Sequence, residues 1–164
     1  MHHSIIPATL LGLLSIGGCT QVRNHDLTGV GDAIDAYHQA ASEADLETYI
    51  GLMAPTGVFL GTDASERWTR DEFRAFCEPY FSAGRGWTYV PVERHINASS
   101  DGRVAWFDET LSNEAYGTLR GSGVLTKTHH GWHIEQYNLT FLVPNEVAGK
   151  VVEMIRAQEP DTPE

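Results

Sequence analysis

The chain has 164 residues, 41% of them hydrophobic and 20% charged, which suits one globular domain and leaves little room for a second. Eleven basic against 22 acidic residues give a formal net charge of −11. That balance argues against a nucleic-acid partner, which needs a basic footprint, and against broad contact with an anionic membrane; a soluble, self-repelling surface accounts for it.

Residues 1–18 are unlike the rest. They contain no Asp, Glu, Lys or Arg, and an apolar run from Ile5 to Ile16 ends in two glycines before Cys19. The run is too short to span a bilayer and has the shape of a secretory signal. Ile16-Gly17-Gly18-Cys19 resembles a bacterial lipobox, although the segment before the apolar run holds two histidines and no Lys or Arg. The resemblance implies a signal peptide over 1–18 and, over 19–28, a lipidated Cys19 at the mature N-terminus followed by a polar tether from Thr20 to Thr28. Thr20, in the place where Asp signals inner-membrane retention, points to the periplasmic face of an outer membrane. With Cys19 lipidated, Cys77 has no partner and no intramolecular disulfide forms.

The domain itself, residues 29–156, opens with a helix. Val30, Ile34, Tyr37 and Ala41 recur at a helical period. A short helix after Asp45 carries Leu46, Tyr49, Ile50 and Met53, and residues 57–62 read as a strand. Thr69 and Glu72 form a capping box for a helix with Phe73, Phe76, Cys77, Tyr80 and Phe81 on one stripe. Pro79 is expected to end or kink that helix near Glu78. Cys77 reads as a buried thiol rather than a nucleophile.

Four strands follow, near 87–97, 103–111, 116–128 and 131–143, rich in Val, Thr, Tyr, Trp and Phe. Asp101-Gly102 and His130-Gly131 mark turns. A last helix after Pro144-Asn145 carries Val147, Val151, Met154 and Ile155, and residues 157–164 read as a disordered tail. The order predicts an α+β fold, helices packed on one face of a strongly curved antiparallel sheet.

His129, His130 and His133 invite a metal reading. At a hairpin tip, adjacent residues face opposite sides, and neither a Cys pair nor a His-Glu-x-x-His helix supplies further ligands. No metal and no organic cofactor are expected. The segment "RGSGVLTKTHHGWHIEQYNLTF" (120–141) instead resembles the last hairpin of the NTF2-like superfamily in its SnoaL-like branch. "FLGTDASERWTRDEF", "GRGWTYVPVERHI", "VAWFDETL" and "VPNEV" extend the resemblance across residues 29 to about 155.

The resemblance implies a cone whose sheet and helices enclose a pocket, with the outer sheet face serving a homodimer. The polar and aromatic residues expected to reach the pocket are Tyr49, Asp63, Glu66, Trp68, Tyr80, Trp106, Asp108 or Glu109, Arg120, Gln136 and Asn138. Strand alternation sets Trp132, Ile134, Gln136, Asn138 and Thr140 on one face of the last strand, and His133, Glu135, Tyr137, Leu139 and Phe141 on the other. Tyr137, Leu139 and Phe141 are the candidates for the outer, dimerising face. His38 and His95 read as surface or interface residues.

Three functions remain open. The first is a membrane-anchored module that binds a small, partly apolar molecule. The second is a cofactor-free isomerase, cyclase or dehydratase. Enzymatic relatives use a pocket carboxylate as a general base, here Asp108 or Glu109, with Arg120 or a tyrosine stabilising charge. Asp63 and Glu66 have duller alternatives as helix caps or partners of Arg67 or Arg70, and Arg120 as the ion-pair partner of Glu109. The third is a dimerising structural module of an envelope assembly.

Overall fold

The computed structural model describes residues 27–158. Cys19, the signal segment, nearly all of the tether and most of the tail lie outside these residues.

Helix α1 (Thr28–Glu43) buries Val30, Ile34, Tyr37, His38, Ala40 and Ala41 along the predicted stripe. It ends at Ala44, which takes the left-handed conformation at φ 56° and closes the helix by donating to the Ala40 and Ala41 carbonyls. The Asp45 carboxylate caps α2 (Leu46–Gly51) by accepting from the Thr48 N–H at 3.1 Å. Met53, expected on that helix, instead begins β1 (Met53–Leu60), four residues before the predicted strand.

A short strand, β2 (Arg67–Thr69), was not foreseen and pairs with β1. Thr69 then starts α3 (Arg70–Phe81) with the expected capping box. Glu72 N–H donates to the Thr69 hydroxyl at 3.4 Å, and Thr69 N–H donates to the Glu72 carboxylate at 2.8 Å. Pro79 does not break α3, which runs on to Phe81. Both Pro79 and Ala75, whose carbonyl loses its helical donor, are exposed, so water can satisfy the freed oxygen.

The meander follows as β3 (Val90–Ala98), β4 (Val104–Asn113), β5 (Gly117–Thr128) and β6 (Gly131–Phe141). The connections carry Gly102, Gly117 and Gly131, all with positive φ. Strand order in the sheet is β2-β1-β6-β5-β4-β3. The sheet is mixed rather than purely antiparallel, because β1 lies parallel to β6. Parallel neighbours need a long crossover, and here α3 and the whole meander supply it.

Helices α1, α2 and α3 pack over one sheet face around a single core that includes Ile34, Ile50, Phe73, Leu111, Leu125 and Ile134. Helix α4 (Ala148–Arg156) buries none of its residues; Met154 is 69% exposed and Ile155 54%. Its predicted apolar stripe is present but mostly exposed, with only Val151 half-buried. No helix among the described residues is long and apolar enough to cross a membrane.

One irregularity decides which side chains meet the helices. On β5, Leu119, Gly121, Gly123 and Leu125 all face inward. Leu125 lies opposite Ile134, but Val124 lies opposite Gln136, so Glu135 is an extra residue on β6. This bulge reverses the alternation. Trp132 and Ile134 are buried before it, Tyr137 and Leu139 after it. Glu135 is held in place by the Thr126 and Thr56 hydroxyls, which donate to its carboxylate at 2.7 and 3.1 Å.

Candidate functional site

Between the helices and the inner sheet face lies a cavity of about 240 Å³ with aromatic walls. Phe59 from β1 and Phe73 from α3 stack with ring centroids 4.0 Å apart. Trp68 from β2 stacks on Phe76 at 4.6 Å. Trp87 comes from the loop after α3, where a strand was expected. Its backbone N–H donates to the Ala41 carbonyl at 3.1 Å, which ties the loop to α1. Tyr89, Tyr116 and Phe141 complete this side of the wall.

Tyr37, His38, Tyr49 and Tyr137 bring polar groups to the lining from α1, α2 and β6. Tyr37 and Tyr49 stack at 4.2 Å with their planes 26° apart. The Tyr49 hydroxyl accepts from Trp87 Nε1 at 3.4 Å. The Tyr37 hydroxyl meets that of Tyr49 in a polar contact that falls short of a well-formed hydrogen bond. A buried hydroxyl left unbonded costs about 1–3 kcal/mol. Burial first, then the neighbouring tyrosines, raises the Tyr37 pKa; burial also raises that of Tyr49, so both phenols keep their protons at neutral pH.

Behind His38 and Tyr137 sits Glu109, 1% exposed. One carboxylate oxygen accepts from the Tyr137 hydroxyl at 3.2 Å and lies 2.7 Å from His38 Nε2. The other accepts from Arg94 Nε at 2.7 Å, and Arg94 also donates to Asp35 at 2.7 Å. Burial, the largest influence on Glu109, pushes its pKa up; His38 and Arg94 together outweigh it and hold the carboxyl below its ordinary value. An ionised carboxylate only accepts, which assigns the Nε2 proton to His38. The negative charge of Glu109 and burial both raise Tyr137, burial more.

Of the residues expected in the pocket, Tyr49, Glu66 and Trp68 line it. Glu66 is the only carboxylate doing so, and it accepts from the Asp63 N–H at 3.1 Å rather than from Arg67 or Arg70. Asp63 turns into its own loop, where the Ser65 N–H and hydroxyl donate to it. Tyr80 stands behind the wall against Phe76 and Trp87, half-exposed. Trp106 and Asp108 face outward, because Ala105, Phe107, Glu109 and Leu111 take the inner positions of β4. Arg120 is exposed beside buried Leu119, so Arg94 and not Arg120 is the ion-pair partner of Glu109. The β6 bulge turns Gln136 and Asn138 outward and brings Tyr137, Leu139 and Phe141 to the cavity, the reverse of the simple alternation.

The proposed bases therefore change character. Asp108 is on the wrong face, and Glu109 is clamped by a cation behind the lining. His38, expected at the surface or an interface, is 8% exposed and borders the cavity. Its position was legible: Val30, Ile34 and His38 are spaced four apart on the buried stripe. The pairing of Arg94 with Glu109 required the β3–β4 register, in which the two are directly opposite.

The histidines at the hairpin tip stay apart from the site. His129 and His130 are exposed in the turn, and among the described residues no three His, Cys, Asp or Glu side chains are grouped as a metal would require. Cys77 is fully buried, its thiol pushed up to about 12 by burial, which suits a packing role.

A sequence profile of the SnoaL-like domain matches residues 30–144. No curated protein matches the chain significantly in sequence. Among solved structures, the chain is similar to a candidate dehydratase of the NTF2-like family from Streptomyces avermitilis, with TM-score 0.62, 15% identity, and 73% of this chain and 97% of that one covered. An NTF2-like protein of unknown function from Pseudomonas putida KT2440 gives TM-score 0.59 at 14% identity, over 73% and 89% of the two chains. A ketosteroid isomerase-like protein from Erwinia carotovora atroseptica gives 0.52 at 20% identity, over 74% and 99%. At these identities the likeness is one of fold.

Proposed function

We propose, for a chain that belongs to the SnoaL-like domain family, that this domain binds a small, flat, largely apolar molecule in its cavity. The observation that carries the reading is the lining itself, aromatic walls around 240 Å³ with a few convergent polar groups at one end. That volume lies just under the ~300–1,000 Å³ of drug-sized sites, so the ligand is limited to one or two fused rings. Trp68 and Trp87 stand in the wall and report occupancy by their fluorescence. Small bicyclic aromatics should quench them saturably and raise the melting temperature. Absence of both effects across such a set would overturn the reading.

A second reading, acid–base catalysis, rests on the His38–Glu109 contact at 2.7 Å. It moves the base from the carboxylate to the imidazole, with Glu109 orienting the ring and stabilising the imidazolium that proton abstraction forms. Isomerisation and dehydration next to a carbonyl are the reactions such a base serves, and the dehydratase and isomerase-like names among the fold neighbours agree with it. The same screen separates the two. Conversion of a bound compound that His38→Gln abolishes while affinity survives supports catalysis; recovery of every bound compound unchanged rejects it.

We also infer that the domain is held at a bacterial envelope membrane through lipid on Cys19. The support is the lipobox-like tetrad in the sequence.

A further inference from the structure

We propose that the ligand is a cation, with an aromatic ring system seated in the cavity and an ammonium group at its mouth, where Glu66 is the counter-ion and Tyr89, Tyr116 and Phe141 are the aromatic walls. The inference rests on the small-molecule reading above and deepens it. Burial along the lining distinguishes the two ends of the cavity. Tyr37, Tyr49, Phe73, Leu119 and Tyr137 are buried at the closed end, while Thr62, Tyr116 and Phe141 are exposed at the mouth. Glu66 and Tyr89 are half-buried. The Tyr116 and Phe141 rings meet edge to face, their centroids 5.5 Å apart and their planes at 73°. Burial first, then Tyr116 and Glu66, raise the Tyr89 pKa, so both lie within electrostatic reach of the Tyr89 hydroxyl.

Charge at the mouth is unbalanced. Among the lining residues Glu66 is the one Asp, Glu, Lys or Arg. One of its oxygens accepts from the Asp63 N–H at 3.1 Å; among the described residues the other has no donor, and no Lys or Arg pairs with either. Gly61 leaves room for the carboxylate at the end of β1, since a Cβ there would strike it. At the closed end Glu109 is already matched by Arg94 and contacted by His38. An ammonium group beside Glu66 would form an ion pair in half-buried surroundings, where opposite charges attract more strongly than in open water. The rings around it would add the attraction of their π faces for a cation. A carboxylate ligand would instead be desolvated beside a like charge, with no cation to receive it. The formal net charge of −11 favours the approach of cations as well.

The test compares three bicyclic probes of one shape, titrated by calorimetry against wild-type protein and Glu66→Gln: 2-aminotetralin, which is an ammonium ion at neutral pH, 2-tetralol and tetralin-2-carboxylate. The ammonium should bind wild type about tenfold more tightly than the neutral alcohol, the scale of a partly desolvated cation–π contact, and the carboxylate should bind most weakly. Added salt should weaken the ammonium and leave the alcohol unchanged. Glu66→Gln should remove most of the ammonium preference while alcohol binding persists, which also shows that the variant is folded. The wild-type comparison needs no variant, so misfolding of Glu66→Gln cannot hide the answer. Equal binding of ammonium and alcohol, or tighter binding of the carboxylate, overturns the cation proposal while the cavity reading stands. An ammonium preference that Glu66→Gln leaves intact overturns the assignment to Glu66. Binding of none of the three overturns both readings.

Discussion

At the scale of single residues, the site is governed by what surrounds Glu109. A carboxylate with 1% exposure is unfavourable unless paired, and Arg94, His38 and Tyr137 all address it. Its pKa is lowered in the folded state. A lowered carboxylate stabilises the fold above its unfolded value, about 4.3, and this contribution disappears as pH falls through the lower folded value. Exposed carboxylates in turns and caps, such as Asp63 and Glu72, are lowered as well, so acid unfolding of the wild type reports several groups. The difference between wild type and Glu109→Gln isolates one. The variant should lose roughly 3 kcal/mol at pH 7, because it leaves Arg94 buried against a neutral partner. The gap should narrow steadily below about pH 4, as measured by urea unfolding across pH. A constant gap down to pH 2 would show that the Glu109 charge is not what the pairing stabilises.

At the scale of elements, two irregular features of the meander shape the cavity. The bulge at Glu135 turns Tyr137 and Leu139 inward, and Gly121 opposite Leu139 leaves room for the Tyr137–Glu109 contact. A Cβ at Gly121 would stand 2.5 Å from the Tyr137 hydroxyl and 2.7 Å from Glu109 Oε1. Gly121→Ala should therefore separate the two and destabilise the domain by about 1–3 kcal/mol, read from the midpoint of denaturant unfolding. Gly149 is the control. It lies in α4 with nothing within 4 Å of its would-be Cβ, so Gly149→Ala should be neutral or stabilise slightly, by up to about 1 kcal/mol. If Gly121→Ala is as stable as Gly149→Ala, the packing account of β5 is wrong. Helix α3 makes a related point. The apolar stripe and the capping box hold the helix through Pro79, and Ala75, whose carbonyl loses its donor there, is exposed to water.

At the scale of the whole molecule, the folded domain begins at α1, with Thr28 already helical. The inferred tether therefore runs over residues 20–27 rather than 20–28. Its extended reach is at most roughly 28 Å, enough for the domain to reorient beside a membrane without lying on it. Two or three acyl chains on Cys19 would make release negligible, since a single chain already binds marginally. Residue 19 lies outside the described core, so Cys19→Ser should lose membrane association and unfold at the wild-type denaturant concentration. If the variant still sediments with membranes after a high-salt wash, the anchor lies elsewhere.

What the sequence determined by itself was the local and the periodic. The stripe from Val30 to Ala41, the Thr69–Glu72 cap, and the glycine-bearing turns each arise from residues close in the chain, so their spacing is enough to place them. The overall resemblance to SnoaL-like domains rested on the same kind of signal. The tertiary structure decided everything that depends on register. The parallel pairing of β1 with β6 joins segments about eighty residues apart. Which of Asp108 and Glu109 points inward follows from the packing of Ala105, Phe107 and Leu111 against the helices. One extra residue at Glu135 exchanged the two faces of the last strand. Alternation has a period of two, so a single insertion inverts every assignment beyond it, and no local pattern announces an insertion that exists only relative to the neighbouring strand.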